Sequence, residues 1–286
     1  GSDELNPGDL AQRQSLPLEA KIILSQQRIR QWYEYWEGNV YISFSGGKDS
    51  TVLLYLVREL YPEVPAVFID TGLEYPEIRD FVKTIDNVVW LKPKLSFKQV
   101  IDKYGYPVIS KEQSGWIYDA RTGKTEKQKL RINKVSKKWQ YLINAPFKIS
   151  DRCCTYLKKN PVKDFEKETG FHPYIGIKAQ DSSRRKMDYL KNGCNAFNLS
   201  RPISNPLAVW LEQDIWNYLK LKKLPYSKIY DMGESRTGCM FCMFGCHLEK
   251  EPNRFQRMKV SHPQLYEYCI TKLGLGNVLD YINVKY

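Results

Sequence analysis

The sequence lacks several features that would assign it to a broad class of proteins. It contains no run of about 18 apolar residues, so it predicts no transmembrane helix. Its first residues do not have the layout of a signal peptide, and no internal repeat or low-complexity tract occurs. With 42% hydrophobic and 27% charged residues, the chain has enough apolar side chains for a substantial core and too much charge for membrane integration. We therefore expect a globular, cytoplasmic protein.

Histidine is also scarce, and cysteine is not. The three histidines have no spacing that indicates a metal site or a catalytic pair, so we expect His172, His247 and His262 to be structural. The chain has seven cysteines. In an intracellular protein, this number favours metal binding or sulfur chemistry over disulfides.

Acidic residues are fewer than basic ones, 32 against 44, which gives a net charge of +12 and favours a polyanionic partner. Residues 121–138 hold eight basic residues and one acidic residue, and Trp116, Tyr118, Trp139 and Tyr141 flank them. Basic side chains beside aromatic rings suit a phosphate backbone with stacked bases. The alternative is a solvated insertion near a small anionic substrate. The candidate nucleic-acid contacts are Arg121, Lys124, Lys127, Lys129, Arg131, Lys134, Lys137 and Lys138.

Residues 41–51, YISFSGGKDST, predict a phosphate-binding loop. A short apolar run ends at Phe44, two glycines follow, and an apolar helical run begins at Val52. A strand, a glycine turn and a helix N-terminus direct backbone N–H groups and the helix dipole at an anion, and Lys48 adds a cation. The spacing is not that of the Walker A motif, which has four residues between its first glycine and Gly-Lys.

Helices and strands alternate along much of the chain. We predict helices over residues 18–37, after the phosphate loop, from Pro76 through Val82, and within 206–221. Strands are predicted before the loop and over 64–69, 88–91 and 174–177. This alternation predicts an α/β fold with a doubly wound parallel sheet and ligands at the strand C-terminal ends. We expect an N-terminal helical segment (1–37), a nucleotide-binding domain (38–232) with a less regular basic insertion (about 97–150), and a cysteine-rich C-terminal segment (233–286).

The cysteines occur partly in pairs. Cys153 and Cys154 are adjacent, and Cys239 and Cys242 form a C-x-x-C turn. Such a turn presents two thiolates to one metal, and a second pair can complete a four-sulfur site. Zn²⁺ is one possible occupant, although adjacent cysteines are unusual for structural zinc. Cys246 is either a persulfide carrier, a substitute ligand or an ordinary core or surface thiol, and we expect Cys194 and Cys269 to be structural.

The order of these motifs resembles one family. SGGKDS is similar to the PP-loop of the N-type ATP pyrophosphatases, which cleave ATP between the α- and β-phosphates. The chain over residues 38–245 resembles the phosphoadenosine-phosphosulfate (PAPS) reductase family of the adenine-nucleotide α-hydrolase fold. The resemblance includes DTGLEYPE (70–77), Cys153-Cys154 with Lys158 through Pro161, Gly176 through Arg184, Arg201-Pro202 to Trp210 followed by Asp214-Ile215-Trp216, and Tyr226 through Cys242.

The resemblance implies a cofactor and a set of site residues. Iron-sulfur members, such as adenylyl-sulfate reductases and the sulfurtransferases of DNA phosphorothioation, imply a [4Fe–4S] cluster on Cys153, Cys154, Cys239 and Cys242. The family motif implies catalytic roles for Lys48, Asp49 and Arg184 with Mg-ATP. The implied nucleotide-binding residues are Ser43, Ser45, Gly46, Gly47, Lys48, Asp49, Ser50, Asp70, Thr71, Gly72, Lys178, Arg184 and Arg185.

Departures from the family pattern separate its members. Adenylyl-sulfate reductases usually have a degenerate phosphate loop and a C-terminal Cys-Gly-Leu-His nucleophile. This chain has an intact loop, and Cys269-Ile-Thr-Lys lacks that motif. Lys178 stands where the family usually has arginine, and lysine lacks the bidentate fork. These features favour a cluster-bearing enzyme that cleaves ATP.

We therefore expect an ATP pyrophosphatase that adenylates an acceptor before sulfur insertion, with DNA phosphate in phosphorothioate modification as the expected acceptor. A cysteine-desulfurase-type protein would donate the sulfur, and a homo-oligomer or larger complex is compatible with this role. One alternative is an adenylyl-sulfate or PAPS reductase. The other is a non-catalytic subunit that binds nucleotide and nucleic acid.

Overall fold

The computed structural model describes residues 5–286, so the first four residues of the expected N-terminal segment lie outside the described part. The α-helices, in chain order, are α1 (Pro7–Gln14), α2 (Leu18–Tyr35), α3 (Lys48–Leu60), α4 (Pro76–Lys83), α5 (Phe97–Lys103), α6 (Lys111–Thr122), α7 (Glu126–Lys129), α8 (Asn160–Thr169), α9 (Ser183–Asn192), α10 (Glu212–Leu221), α11 (Arg254–Ser261), α12 (Pro263–Glu267) and α13 (Leu275–Tyr281). The strands are β1 (Val40–Ser43), β2 (Ala66–Ile69), β3 (Val88–Leu91), β4 (Val108–Ile109), β5 (His172–Tyr174), β6 (Asn195–Ala196), β7 (Ile203–Ser204) and β8 (Met243–Phe244).

The main sheet is mostly parallel and confirms the predicted α/β class. Its strand order is β3-β2-β1-β5-β7-β6, and β6 alone among these six strands pairs antiparallel to its neighbour. The first three strands extend the sheet in one direction and β5 and β7 extend it in the other, so the order reverses between β1 and β5. Ligands of open α/β sheets bind at such a reversal, outside the carboxyl ends of the strands. The predicted phosphate loop follows β1 at this point.

Burial explains why the predicted elements form. β1 presents Val40, Tyr41 and Ile42, each at most 1% exposed, and α3 packs its apolar side chains into the same core. In α2, Ile29 and Trp32 are buried as the periodicity predicts. Ile23, an apolar residue of the same helix, is instead 56% exposed. The fourth strand, predicted over 174–177, lies earlier in the chain: β5 ends at Tyr174, and the residues after it form the connection near the phosphate loop.

The chain divides into two compact units. The first comprises the chain through Ile69, Pro76–Leu91 and Lys163–Arg236, and it holds the main sheet. The second comprises Asp70–Tyr75, Lys92–Val162 and Thr237–Tyr286. Within the second unit, β4 pairs in parallel with β8, which joins the expected basic insertion to the cysteine-rich segment.

The basic insertion is more regular than the sequence suggested. It contains α5 and the 12-residue helix α6. Ser96 begins α5 with a capping box, because its hydroxyl accepts from the Gln99 N–H while the Gln99 side chain accepts from the Ser96 N–H. Ser110 caps α6 without the reciprocal bond, because only its hydroxyl takes part and accepts from the Gln113 N–H. Across residues 5–286, no helix is long and apolar enough to cross a membrane.

Candidate nucleotide site and cysteine cluster

The loop Ser45–Ser50 connects β1 to α3 and has a backbone shape that requires glycine. Gly46 has φ of +79°, in the left-handed region. A Cβ at this position would lie 2.8 Å from Cγ2 of Ile78 and 2.8 Å from Cγ2 of Val82. Both the dihedral angle and the close packing of α4 therefore exclude a side chain at Gly46.

Hydroxyl groups order the loop from inside. The Ser50 hydroxyl donates to the Gly47 carbonyl at 3.1 Å and accepts from the Ser45 N–H at 3.1 Å. The Thr51 hydroxyl also donates to the Gly47 carbonyl, at 2.8 Å. These bonds fix the backbone at the N-terminus of α3, where the helix dipole favours an anion.

Lys48 is the cation of this loop, and it is buried. Its ammonium lies 3.2 Å from Oδ1 of Asp49 and 2.9 Å from Oε1 of Glu212. Its backbone N–H donates to the hydroxyl of Tyr230 at 2.8 Å, and the Tyr230 ring centroid is 5.9 Å from Nζ. The side chain is therefore held by charge partners at the helix N-terminus.

Lys178 joins the same group of charges. The Lys178 ammonium, on a side chain only 2% exposed, lies 2.5 Å from Oδ2 of Asp49 and 3.0 Å from Oδ1 of Asp181. Burial acts to lower the pKa of Lys178, but Asp49 and Asp181 outweigh it and the pKa is raised. Lys178 therefore stays protonated, and Asp49 bridges the two lysines.

Glycine also allows the connection after β5 to approach the loop. A Cβ on Gly176 would lie 3.3 Å from the Ser50 nitrogen and 3.4 Å from the Asp49 carbonyl carbon. This close approach brings Lys178 within reach of Asp49. The loops after β1 and β5 therefore meet at the reversal of strand order.

Glu212 is the third carboxylate of this group, and we refer to Lys48, Lys178, Asp49, Asp181 and Glu212 as the charge cluster. Glu212 is the first residue of α10, and its Oε2 lies 3.5 Å from the Lys178 ammonium. Partial burial acts to raise the pKa of Glu212, but Lys48 and Lys178 outweigh it and the pKa is lowered. The carboxylate is thus held in its charged form against both lysines.

The predicted arginines lie at the start of α9, which Ser182 caps through the Arg185 N–H. Arg184 and Arg185 are exposed. Arg185 lines a cavity of about 310 Å³ together with Ile177 and Ala179, the two neighbours of Lys178. Lys191 and Asn205 also line this cavity, and the buried Oδ1 of Asn205 has no hydrogen-bond partner within residues 5–286.

Asp70, Thr71 and Gly72 follow β2 directly and belong to the second unit. Thr71 donates both its N–H and its hydroxyl to Glu74, at 2.7 and 2.8 Å from Oε1. Burial raises the pKa of Glu74. This turn is therefore fixed by a buried carboxyl group, and the nucleotide-binding roles of Asp70, Thr71 and Gly72 stay predictions.

The four predicted cysteine ligands lie near one another in the second unit. Cys153 and Cys154 precede a π-helical turn (Thr155–Lys159), and the Cys242 N–H closes a turn by donating to the Cys239 carbonyl at 3.1 Å. The pKa of Cys153 is raised by burial and by the negative charges of Cys239, Cys154 and Cys242. The two sequence pairs are therefore close enough to interact electrostatically.

Lys158 supplies a cation beside these thiols. Its pKa is raised, chiefly by the Cys239 thiolate, to which it also donates a hydrogen bond, and burial opposes this effect. Cys154 and Glu74 act on Lys158 in the same direction. Burial raises the pKa of Cys239 and outweighs the opposing effect of the Lys158 ammonium.

The donor set fits a [4Fe–4S] cluster, which is held by four cysteine thiolates. Four thiols converge here and a buried lysine offsets their charge. Within the described residues, no three Cys, His, Asp or Glu side chains already stand in a geometry that would hold a metal ion. Two of the three remaining cysteines, Cys246 and Cys269, are buried, and burial raises their pKa values to about 11 and about 12.

The basic segment contains structural and exposed cations. Arg121 donates to the carbonyls of Phe147 and Ala145, and Arg131 forms an ion pair with Asp119 at 3.4 Å. The candidate lysines of this segment are all exposed, and they are Lys124, Lys127, Lys129, Lys134, Lys137 and Lys138.

The aromatic residues beside this segment are less available than the sequence suggested. Trp139 is 8% exposed and packs edge-on to His247. Lys134 lies over the Trp116 ring, with 6.0 Å between Nζ and the centroid, and Arg152 covers Tyr118 at 4.7 Å. Tyr141 keeps 40% of its surface exposed. Tyr141 is therefore the most accessible of these rings for base stacking.

Sequence reasoning missed three members of the phosphate-loop environment, namely Tyr230, Asp181 and Glu212. Asp181 and Glu212 are acidic residues in the first turns of short helices, where such residues are common for reasons of capping alone. Tyr230 lies in a segment of aromatic residues without distinctive spacing. Only the contacts of the folded chain link them to Lys48 and Lys178.

Comparison with known proteins places the chain in a family. A model of the phosphoadenosine phosphosulfate reductase domain matches residues 39–116 and 86–244. An uncharacterized protein of Methanocaldococcus jannaschii is 27% identical over 86% of this chain, which spans about half (51%) of that relative's length. The adenosine 5'-phosphosulfate reductase of Staphylococcus epidermidis is 26% identical, with 75% of this chain and 74% of the reductase aligned.

Among solved structures, the phosphoadenylyl-sulfate reductase of Candida auris aligns with 84% of this chain and 98% of its own, at a TM-score of 0.48 and 18% identity. The family match, by contrast, covers well over half of the sequence and includes both the phosphate loop and the four paired cysteines. The chain therefore belongs to the phosphoadenosine phosphosulfate reductase family.

Proposed function

We propose that this protein is an ATP pyrophosphatase that adenylates an acceptor so that sulfur can replace one of the acceptor's oxygens. The observation that carries this proposal is the intact phosphate loop, with Lys48 buried at the N-terminus of α3. A sulfonucleotide substrate has no pyrophosphate for such a loop to hold. An enzyme that keeps the loop has a use for the β- and γ-phosphates.

In this proposal the loop binds the phosphates of Mg-ATP. Backbone N–H groups at the start of α3 and the Lys48 ammonium would contact the β- and γ-phosphates, while Asp49 orders the two lysines. An acceptor oxygen attacks the α-phosphorus, and the bond to the β-phosphate oxygen breaks. The leaving pyrophosphate gains negative charge, which positioned donors and cations stabilise.

The second step replaces the adenylate. A persulfide on a cysteine-desulfurase-type donor attacks the activated acceptor, and AMP leaves with the acceptor's former oxygen. A reducing thiol then cleaves the S–S bond between acceptor and donor, which leaves the thiolated acceptor and a disulfide of donor and thiol. Arg184 and Arg185, which are exposed at the start of α9, are the candidates to steady the acceptor or the α-phosphate. Arg185 lines the 310 Å³ cavity next to Lys178, so a group bound there would lie beside the connection that carries the charge cluster.

We further propose that Cys153, Cys154, Cys239 and Cys242 hold a [4Fe–4S] cluster, with Lys158 as the neighbouring cation. Such a cluster supplies electron transfer or structural cross-linking. Anaerobic purification should give brown protein with absorbance near 400 nm and about four iron atoms per chain. Cys239→Ser should remove the colour, whereas Cys269→Ser should retain it, because Cys269 is not one of the four proposed ligands. Zinc content without iron would overturn this assignment.

We propose that the acceptor is a nucleic acid, and specifically a phosphate group of the DNA backbone. The support is the net charge of +12 and the row of exposed lysines between Lys124 and Lys138. Phosphate contacts by lysine provide affinity without sequence preference. Sequence preference would require further contacts with base edges.

The experiment that tests the proposal incubates anaerobically purified protein with α-labelled ATP, DNA and a cysteine desulfurase with cysteine. Formation of labelled AMP and of pyrophosphate, both dependent on DNA, is the expected result. Lys48→Ala should reduce turnover by roughly 10- to 100-fold, as expected for loss of a charged hydrogen bond. Lys222→Ala, at an exposed lysine of the same unit, is the matched control. Nucleotide binding without any turnover would favour a non-catalytic subunit instead.

A second candidate is sulfonucleotide reduction, which the similarity to the Staphylococcus epidermidis reductase favours. That reaction needs an accessible cysteine nucleophile in addition to the cluster ligands. Cys269 is fully buried in the π-helical turn Tyr268–Lys272, and burial raises its pKa to about 12. Such a thiol is a poor nucleophile. Thioredoxin-dependent release of sulfite from adenylyl sulfate would establish this alternative.

A further inference from the structure

The charge cluster of the phosphate loop carries more negative than positive charge. Lys48 and Lys178 provide two ammonium groups, and Asp49, Asp181 and Glu212 provide three carboxylates, all within 3.5 Å of one or the other lysine. The five side chains therefore have a net charge of −1. A site of this charge opposes a free polyphosphate anion even though it is built around two lysines.

Glu212 differs from the other two carboxylates in its exposure. Its side chain is 47% exposed, against 22% for Asp49 and 34% for Asp181. Asp181 is also tied to the backbone, because it accepts from the Lys178 N–H at 2.9 Å. Asp49 contacts both lysines. Glu212 is thus the carboxylate that reaches the lysines from the solvent side and can leave them most easily.

The backbone of Glu212 is held in place, whereas its carboxylate can move. Its backbone is the first residue of α10, and its N–H donates to Oε1 of Gln180 at 2.8 Å. Its carboxylate spans the two ammonium groups, 2.9 Å from Lys48 and 3.5 Å from Lys178. A phosphate oxygen that approaches Lys48 must compete with this carboxylate for the same ammonium hydrogens.

We infer that Glu212 is a specificity-determining residue that makes the phosphate loop select metal-bound polyphosphate over the free anion. The inference rests on the proposed function, since it assumes that the loop binds the pyrophosphate part of ATP. A free pyrophosphate must displace Glu212 and bind beside its charge. Mg²⁺ removes two negative charges from the ligand, so the metal complex meets much less repulsion from the same carboxylate.

The test measures pyrophosphate binding by titration calorimetry, once with EDTA and once with excess Mg²⁺, for the wild type and for Glu212→Gln. We expect the variant to bind metal-free pyrophosphate about tenfold more tightly, which corresponds to ~1.4 kcal/mol. Its affinity for the magnesium complex should change less than threefold. In the variant, the dissociation constant of metal-free pyrophosphate divided by that of the magnesium complex should therefore be smaller than in the wild type.

Glu59→Gln is the matched control. Glu59 has nearly the same exposure, 46%, and lies in the same unit, with its carboxylate 3.9 Å from the Lys222 ammonium. The same loss of charge there should leave both affinities unchanged. Glu212→Ala serves as a second variant in case the glutamine side chain hydrogen-bonds to Lys48, and it should shift metal-free binding in the same direction.

Three outcomes would overturn the inference alone. Equal metal-free binding by wild type and Glu212→Gln would show that Glu212 does not oppose the anion. Weaker binding in both conditions would show that it holds Lys48 in position, and weaker binding only with Mg²⁺ would show a contact with the metal. Tighter metal-free binding by the variant, with no cleavage of ATP, would contradict the proposed function and leave the inference standing. No pyrophosphate binding by either protein would overturn both.

Discussion

At the scale of single residues, the phosphate loop combines a backbone that only glycine permits with two buried lysines that carboxylates hold in place. Gly46 adopts φ of +79° against α4, and Lys178 is 2% exposed. A buried ammonium group is costly unless it is paired, so the carboxylates are needed for the folded state. The residues that would bind an anion are therefore also part of the core of this unit.

We predict that Gly46→Ala destabilises the protein by about 3 kcal/mol, the sum of left-handed strain and overpacking against Ile78 and Val82. Gly233→Ala is the matched control, because Gly233 is in the left-handed region with φ of +97°, and a Cβ there would meet no atom within 4 Å. It should lose only about 1–2 kcal/mol. Urea denaturation measures both values, and equal losses would contradict the role of the packing.

His172 gives a pH dependence of stability. Its ring stacks on Trp36 with centroids 3.5 Å apart, and burial lowers its pKa although Glu166 opposes this effect. The folded state therefore favours the neutral ring. At pH 7.5 the neutral His172 ring makes its full contribution to the free energy of unfolding. This contribution decreases as the pH falls below about 6.5, because His172 takes up a proton in the unfolded chain before it does so in the folded chain.

We predict that the difference in unfolding free energy between wild type and His172→Gln becomes smaller from pH 7.5 to pH 5. The glutamine side chain has no proton to gain in this range, so only the wild type loses the contribution of the neutral ring. Urea midpoints at several pH values measure this difference. Parallel pH profiles for the two proteins would show that the ring titrates alike in both states.

At the scale of elements, a buried ion pair joins α2 to α10. The Lys21 ammonium, on a side chain 1% exposed, lies 2.5 Å from Oδ2 of Asp214 and donates to the Gln14 carbonyl. Asp214 also accepts from the Leu211 N–H at the start of α10. The same helix start carries Glu212, so this ion pair helps fix the base from which Glu212 reaches the charge cluster.

We predict that Asp214→Asn costs about 3 kcal/mol, because it leaves the Lys21 ammonium buried without its partner charge. Asparagine keeps an oxygen for the Leu211 N–H, so the loss reports mainly on the charge. The double variant Lys21→Met/Asp214→Asn should be less destabilised than Asp214→Asn alone. Additive losses in chemical denaturation would show that the two side chains act independently.

At the scale of the whole molecule, the basic residues of the segment 121–138 form two groups, one bound within the protein and one exposed to solvent. Arg121 and Arg131 are bound to the protein itself, through carbonyls and Asp119. The lysines of the same segment are exposed. The chain thus has a set of cations that support the fold and a set that is available to a polyanion.

We predict that changing Lys124, Lys127 and Lys137 together to alanine weakens binding to double-stranded DNA and makes it less dependent on salt. The slope of log affinity against log salt should fall by up to about 3 if each lysine neutralises one phosphate. The control changes Lys83, Lys220 and Lys223, three exposed lysines elsewhere, and should preserve the slope. Fluorescence anisotropy at several salt concentrations measures both, and equal effects would indicate a diffuse charge interaction.

Much of the fold followed from local patterns. The apolar runs before and after SGGKDS predicted β1 and α3, and Pro76 marked the start of α4. The helices of the basic segment were missed, although Ser96 and Ser110 begin them as caps, because α5 has only seven residues and α6 buries few apolar side chains. A local sequence pattern predicts an element well when its buried side chains recur at regular spacing, and it predicts poorly when the element buries few side chains.

The sequence by itself determined the phosphate loop, the paired cysteines and the family, because each depends on residues close together in the chain or in a fixed order. Only the tertiary structure decided which charges surround Lys48. Asp49, Lys178, Asp181 and Glu212 meet because β1 and β5 are neighbours in the sheet and α10 begins beside them. Ion pairs between distant segments have no local signature, since their energy depends on distance and burial, and these exist only once the chain has folded.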